Sequence, residues 1–202
     1  MDNVDTNIWN DAQKGEFDWH YKNPWRADDW DFVLNTYKIF NHFGFGRDDF
    51  RGKSILDVGA GPRLRTKYFK DSIITALEPL GERFVRNFKW CDLRDVPVYT
   101  NPIEEFIPEL VHQFDFIISI NALDHCYDFN LSISNMCWYL KEGGTIFISY
   151  DFHSGSDPLH PLSLSKEVSE NTFENNCLKV INEMEYLSYG LGDSSLSYWL
   201  TR

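Results

Sequence analysis

Apolar and polar positions alternate along the 202 residues in a way that separates short buried runs from amphipathic stretches. Ile55, Leu56 and Val58 form one run, too short for a helix and closed by Gly59 and Gly61, which predicts a buried strand over 55–58. Apolar runs at 73–77, 97–100, 114–121 and 145–150 predict four more strands. The stretches 64–70, 81–88 and 133–140 predict helices between them. Upstream, Phe32, Val33, Tyr37, Phe40 and Phe43 share one helical face behind Asp28 or Asp29 as a cap, and Gly44 and Gly46 end that helix. Residues 1–29 are aromatic and polar by turns, with Trp9, Phe17, Trp19, Tyr21 and Trp25, and show no clean period. Near the other end, 178–189 and 197–200 alternate weakly about a turn at 190–193, which predicts an antiparallel hairpin. Strands alternating with helices call for a parallel sheet covered on both faces.

The chemistry sits where the first run ends. Asp57 places a carboxylate at the strand's end, and Gly59 and Gly61 let the backbone turn sharply and leave room for a ligand. Glu78 follows 21 residues after Asp57, at the end of the second run, where a carboxylate accepts the ribose hydroxyls of an adenosine-containing ligand. The plain alternatives are an ordinary glycine turn and a solvated loop carboxylate. Two cofactor classes share this geometry. A nicotinamide fingerprint needs a third glycine, and Leu64 stands at that position; none of the ten tyrosines has Lys four residues later.

The run Ile55-Leu56-Asp57-Val58-Gly59-Ala60-Gly61-Pro62, followed by Leu77-Glu78-Pro79, resembles the class I S-adenosylmethionine-dependent methyltransferases. So do Phe114-Asp115-Phe116-Ile117 leading into Leu123-Asp124-His125, and Leu140-Lys141-Glu142-Gly143-Gly144 leading into Ile146. The resemblance covers about residues 50–202. It implies an α/β fold: a doubly wound, mostly parallel seven-stranded sheet with helices on both faces and a C-terminal antiparallel hairpin. It implies S-adenosylmethionine as cofactor, held by Asp57, Gly59, Ala60, Gly61, Glu78, Pro79, Asn101, Ile103, Asn121 and Ala122, with no metal. Asn101 and Ile103 would flank adenine, although the family often has Asp where this chain has Asn101-Pro102. The expected organisation is an aromatic-rich helical lid or extension over 1–50 and a cofactor-binding domain over 51–202, together one structural domain.

Composition narrows the acceptor. With 19 Lys plus Arg against 31 Asp plus Glu, the formal net charge is −12, which argues against nucleic acid; Arg63, Arg65 and Lys67 are the nearest approach to a basic patch. Neither an Asn/Asp-Pro-Pro-Tyr/Phe string nor a Pro-Cys pair occurs, so the signatures of nucleobase methylation are missing. Cys91, Cys126, Cys137 and Cys177 are scattered without metal-ligand spacing and are expected as reduced thiols. No basic-then-apolar leader and no long apolar span is present, which predicts a cytoplasmic chain without a membrane partner. The partner expected is a small-molecule acceptor; the oligomeric state stays open.

Methyl transfer needs an acceptor atom about 3 Å from the activated methyl and a base if the acceptor is a hydroxyl. Of the six histidines, His20, His125, His153 and His160 lie where they can reach the strand tips, whereas His42 and His112 read as structural. His125 and His153 are the candidate bases, with His153 favoured because Asp151 and Tyr150 could orient it; for each, a structural or surface role is the plain alternative. The loop 154–161 is polar and rich in Gly and Pro, long enough to wall a pocket. The function expected is methylation of a small molecule, O- ahead of N-, on a sugar, nucleotide-sugar or secondary metabolite. The alternatives are a cofactor-binding relative without catalysis and a nicotinamide-dependent oxidoreductase.

Overall fold

The structure, a computed structural model, describes residues 5–23, 27–151, 159–187 and 194–202. One seven-stranded sheet runs through it in the order β3-β2-β1-β4-β5-β7-β6. Its strands are β1 (Ser54–Val58), β2 (Ile73–Leu77), β3 (Val98–Tyr99), β4 (Phe114–Ile120), β5 (Leu140–Asp151), β6 (Lys179–Leu187) and β7 (Ser194–Thr201). The first five are parallel, and β7 runs antiparallel to both β5 and β6, as the alternation had predicted. The helices are α1 (Thr6–Lys22), α2 (Asp29–His42), α3 (Gly81–Asn87), α4 (Phe129–Tyr139) and α5 (Lys166–Asn175).

Both faces of the central strands are apolar, and each face has its own core. Leu56, Val58, Ile117, Ile146 and Ile148 pack under α4 and α5 with Ile133, Met136 and Phe173. On the other face, Ile55, Phe116, Ile118 and Phe147 meet Ile39 and Phe40 of α2, Phe43 at its end, and Phe45 in the turn that follows. This two-sided burial explains why the central strands read as unbroken apolar runs.

Four local expectations are corrected. Residues 64–70 form a single 3-10 turn, Arg65–Tyr68, and not a crossover α-helix. Tyr68 and Phe69 anchor that turn against Phe40 and Phe45, so the connection is shortened by core packing. The stretch without a period holds α1, capped by Asp5, whose carboxylate accepts from the Asn7 N–H at 2.7 Å. Helix α4 begins earlier than the apolar pattern suggests because Asp128 caps it, accepting from Leu131 N–H. The Lys141-Glu142-Gly143-Gly144 stop falls inside β5: Leu140 pairs with Phe114, the ladder slips, and pairing resumes at Thr145 with Phe116. Gly143 sits at φ +74° in that slip. The cap at Asp28 and the end of α2 before Gly44 are as expected.

Candidate functional site

A cavity of about 430 Å³ opens at the carboxyl ends of β1, β2, β4 and β5, a volume in the range of small-molecule sites. The sheet supplies one wall. Asp57, Gly59, Ala60 and Gly61 line it from the β1 turn, Glu78 and Pro79 from β2, Ile103 from beyond β3, Asn121 and Ala122 from β4, and Asp151 from β5. Helix α1 adds Trp9, Gln13, Glu16, Trp19 and His20 to the lining, and α2 with the residue that caps its end adds Asn35, Ile39 and Phe43.

The β1 turn is fixed by two requirements that only glycine meets. Gly59 has φ +66°, and a Cβ placed on it would lie 2.2 Å from the Cβ of Ala122. Gly61 has φ +65°. The turn is also fastened from β2. One oxygen of Glu78 accepts from the Gly61 N–H at 2.8 Å, and the other accepts from the Leu80 N–H at 2.9 Å. Glu78 therefore ties the β1 turn to the start of α3, and each oxygen keeps further lone-pair capacity for a ligand hydroxyl. Burial pushes the Glu78 carboxyl up to about 7; the two N–H groups oppose that rise, and the nearby charges of Glu16 and Asp57 add to it. Burial likewise raises Asp57 to about 6, opposed by the Thr66 hydroxyl, which donates to it at 2.6 Å, and by the charge of Arg65.

Glu104 is a buried member of the site that sequence reasoning missed. Its carboxylate accepts from the Tyr127 and Asp128 N–H groups and so pins the segment after β4 to the segment after β3. Burial pushes it up to about 7 against those N–H donors. Asn101 is the one expected cofactor residue outside the lining: its amide donates to Glu105 at 2.8 Å, while Pro102, Ile103 and Glu104 face the cavity.

Of the candidate bases, His125 lies in the 3-10 turn Leu123–His125 after β4 and lines the cavity, with His160 beside it at a ring-centroid distance of 4.5 Å. His125 Nδ1 is 2.8 Å from the carbonyl oxygen of Leu159. A carbonyl only accepts, so Nδ1 carries the proton. His153 lies outside the described residues. Tyr150, expected to help orient it, is wholly buried in the core and bonded to the Ser169 hydroxyl. Asp151 lines the cavity and accepts from the Ser195 hydroxyl on β7. His20, on α1, is buried against Glu16 with Nε2 to Oε1 at 3.1 Å.

The α1 contribution has a signal in the sequence, though not an apolar one. Trp9, Gln13, Glu16 and His20 are spaced four, three and four apart, one stripe of a helix, but they mix aromatic, amide, carboxylate and imidazole. Gly15, mid-helix, is explained from the same side: a Cβ there would come 2.5 Å from Leu159 Cδ2, so α1 leaves room for the residue that holds His125. The basic patch dissolves into pairs. Arg63 meets Asp29 and Asp92, Lys67 meets Asp92 and Asp95, and Arg65 donates to Asn35 and Thr36. No helix among the described residues is long and apolar enough to cross a membrane.

No family model matches the chain, and no curated protein sequence does. Solved structures do. The Burkholderia thailandensis 1,6-didemethyltoxoflavin-N1-methyltransferase, with bound 1,6-didemethyltoxoflavin and S-adenosylhomocysteine, is 16% identical with a TM-score of 0.66, over 99% of this chain and 91% of that one. The CurJ carbon methyltransferase is 15% identical with a TM-score of 0.57; the match covers 84% of this chain but only 54% of that one. The [4+2]-cyclase SpnF is 12% identical with a TM-score of 0.60, over 83% and 79% of the two chains. At these identities the likeness is one of fold.

Proposed function

We propose that this chain, which has the class I methyltransferase fold, binds S-adenosylmethionine and transfers its methyl group to a small molecule. The observation that carries this reading is convergence. Asp57 to Gly61, Glu78 with Pro79, and Asn121 with Ala122 come from three strand ends and line one cavity. In this reading Glu78 accepts the ribose hydroxyls, Ile103 walls the adenine, and the glycine turn admits the methionine part. Pro102 and Glu104 take the place proposed for Asn101.

The acceptor then lies between the tips of β4 and β5 and the stripe of α1. Arg65 is the only Lys or Arg lining the cavity among the described residues, against Asp57, Glu78, Glu104, Glu16 and Asp151. That balance disfavours an anionic acceptor such as a nucleotide-sugar, and the imidazoles at the β4 tip suit O-methylation of a compact hydroxyl compound, whose proton must be removed. The hydroxyl loses its proton at the cluster that contains His125, with Asp151 as a further polar contact. A cofactor-binding relative without transfer stays in view because a cyclase shares the fold.

The test is a melting series. S-adenosylmethionine and S-adenosylhomocysteine at 100 times their dissociation constants should each add about 2.7 kcal/mol, with no shift from NAD. An unchanged melting temperature with both sulfur ligands at millimolar concentration sinks the reading. Binding without turnover across a panel of small alcohols and amines would favour the non-catalytic relative.

A further inference from the structure

Two imidazoles and a carboxylate meet at the β4 end of the cavity. One ligand atom from each of Asp124, His125 and His160 lies within 4.8 Å of the other two. Asp124 is wholly buried, and His160 Nε2 stands 3.8 Å from its Oδ2. Both histidines line the cavity. We propose that these three residues hold a divalent first-row transition ion whose remaining positions face the acceptor. The proposal departs from the metal-free expectation drawn from the sequence, and it rests on the transfer reading for what the ion would do.

Four features point to a cation. The donor set is two imidazoles and one carboxylate, which suits iron, zinc and their neighbours; magnesium and calcium prefer all-oxygen sites. The His125 ring is oriented as metal-ligating histidines are, with Nδ1–H given to the Leu159 carbonyl. Leu159 directly precedes His160, so one short segment orients one ligand and supplies another, and that segment is seated over Gly15 of α1. Finally, a carboxylate taken wholly out of water gains from a facing positive charge. Coordination bonds of about 2.1 Å set donors about 3 Å apart, so loading draws the three together.

The chemistry needs no redox change. A hydroxyl bound to the ion ionises more readily, and its proton passes to solvent. The oxygen lone pair then forms the C–O bond as the methyl C–S bond breaks, and that bond's electron pair returns to sulfur.

The test uses the full chain, freed of metal by chelation, titrated calorimetrically with Zn(II), Co(II) and Mg(II). One equivalent of Zn(II) or Co(II) should bind, with Co(II) giving the visible absorption of a nitrogen-ligated ion, and Mg(II) should not compete. His160→Gln and Asp124→Asn should each weaken Zn(II) binding by more than the about 10–100-fold that loss of a mere orienting partner costs. S-adenosylhomocysteine affinity should stay unchanged in both. His160→Gln, at a partly exposed position, keeps the test decisive if Asp124→Asn does not fold by circular dichroism. Absence of stoichiometric binding to the wild type, or binding that His160→Gln leaves intact, overturns the proposal. Metal binding without any S-adenosylhomocysteine binding would support the ion site and sink the transfer reading; the reverse pattern would sink the ion site alone.

Discussion

At the β1–β2 end of the cavity, the fixed contacts are made by backbone: N–H groups of Gly61 and Leu80 on Glu78, and two glycines at positive φ. At the β4–β5 end they are made by side chains drawn from three distant places, namely Asp124 with His125, His160, and the α1 stripe from Trp9 to His20. The first end is drawn from one short span of sequence, residues 57–80. The second is assembled only by the fold. A shape that must fit one invariant ligand can be written in glycines and a single acid. One that must fit a particular acceptor is written in exchangeable side chains.

The sharpest way to break this division is at its acceptor side. His125→Asn should cut turnover about 10²–10⁴-fold, the usual loss for a group that takes part in proton removal, while S-adenosylhomocysteine affinity by calorimetry stays within about twofold. Loss of both together would mean the two ends are not separate.

On the cofactor side, Glu78→Gln should weaken S-adenosylhomocysteine about 10–100-fold, equivalent to one charge-assisted bond of about 1.5–3 kcal/mol. It should also destabilise the empty protein, because the carboxamide NH₂ must face either the Gly61 or the Leu80 N–H. Chemical denaturation separates the two effects; full stability with unchanged affinity would reduce Glu78 to a bystander.

Gly59→Ala tests whether the ends are joined. Its Cβ would collide with Ala122 and sit at positive φ, so we expect a loss of about 1–3 kcal/mol. Ala122→Gly in the same chain should return the part due to collision and not the part due to φ. Denaturation of the single and double variants measures the split.

The smallest effect is with pH. Glu78 is raised to about 7 when folded, above the unfolded value near 4.5. The folded state therefore holds the extra proton, and the empty protein should lose stability as pH rises from about 4.5 through about 7. Ligand binding runs the other way, since the ionised carboxylate is the better acceptor for ribose. Affinity for S-adenosylhomocysteine should be about tenfold weaker at pH 6 than at pH 8. Glu78→Gln should flatten the Glu78 contribution to that profile.

The cofactor end was legible because its instructions are local. Asp57, Gly59, Gly61 and Glu78 sit within one βαβ-length span, and the structure places all four on the cavity. The parallel strands and the closing hairpin followed from alternation, while the seven-stranded count followed only from the family resemblance. The crossover was misread because Tyr68 and Phe69 are spent on the α2 core and not on a helix face. Helix α1 was hidden because its inward stripe faces the cavity, leaving only Ala12 and Phe17 as its buried apolar residues, too few for an apolar count to find a period. Glu104 had no local signal, since its partners Tyr127 and Asp128 lie more than twenty residues away.

The stripe on α1 bears on how such a chain diversifies. Trp9, Gln13, Glu16 and His20 touch the cavity from a helix that takes no part in the sheet's hydrogen-bonded ladder. Substitutions along those four positions can alter the shape and polarity of the cavity while the strand ends proposed to hold the cofactor stay as they are. Descendants of one ancestral scaffold could thus part company in what they modify through a handful of codons confined to α1. Sequence searches anchored on the glycine turn would be blind to the change.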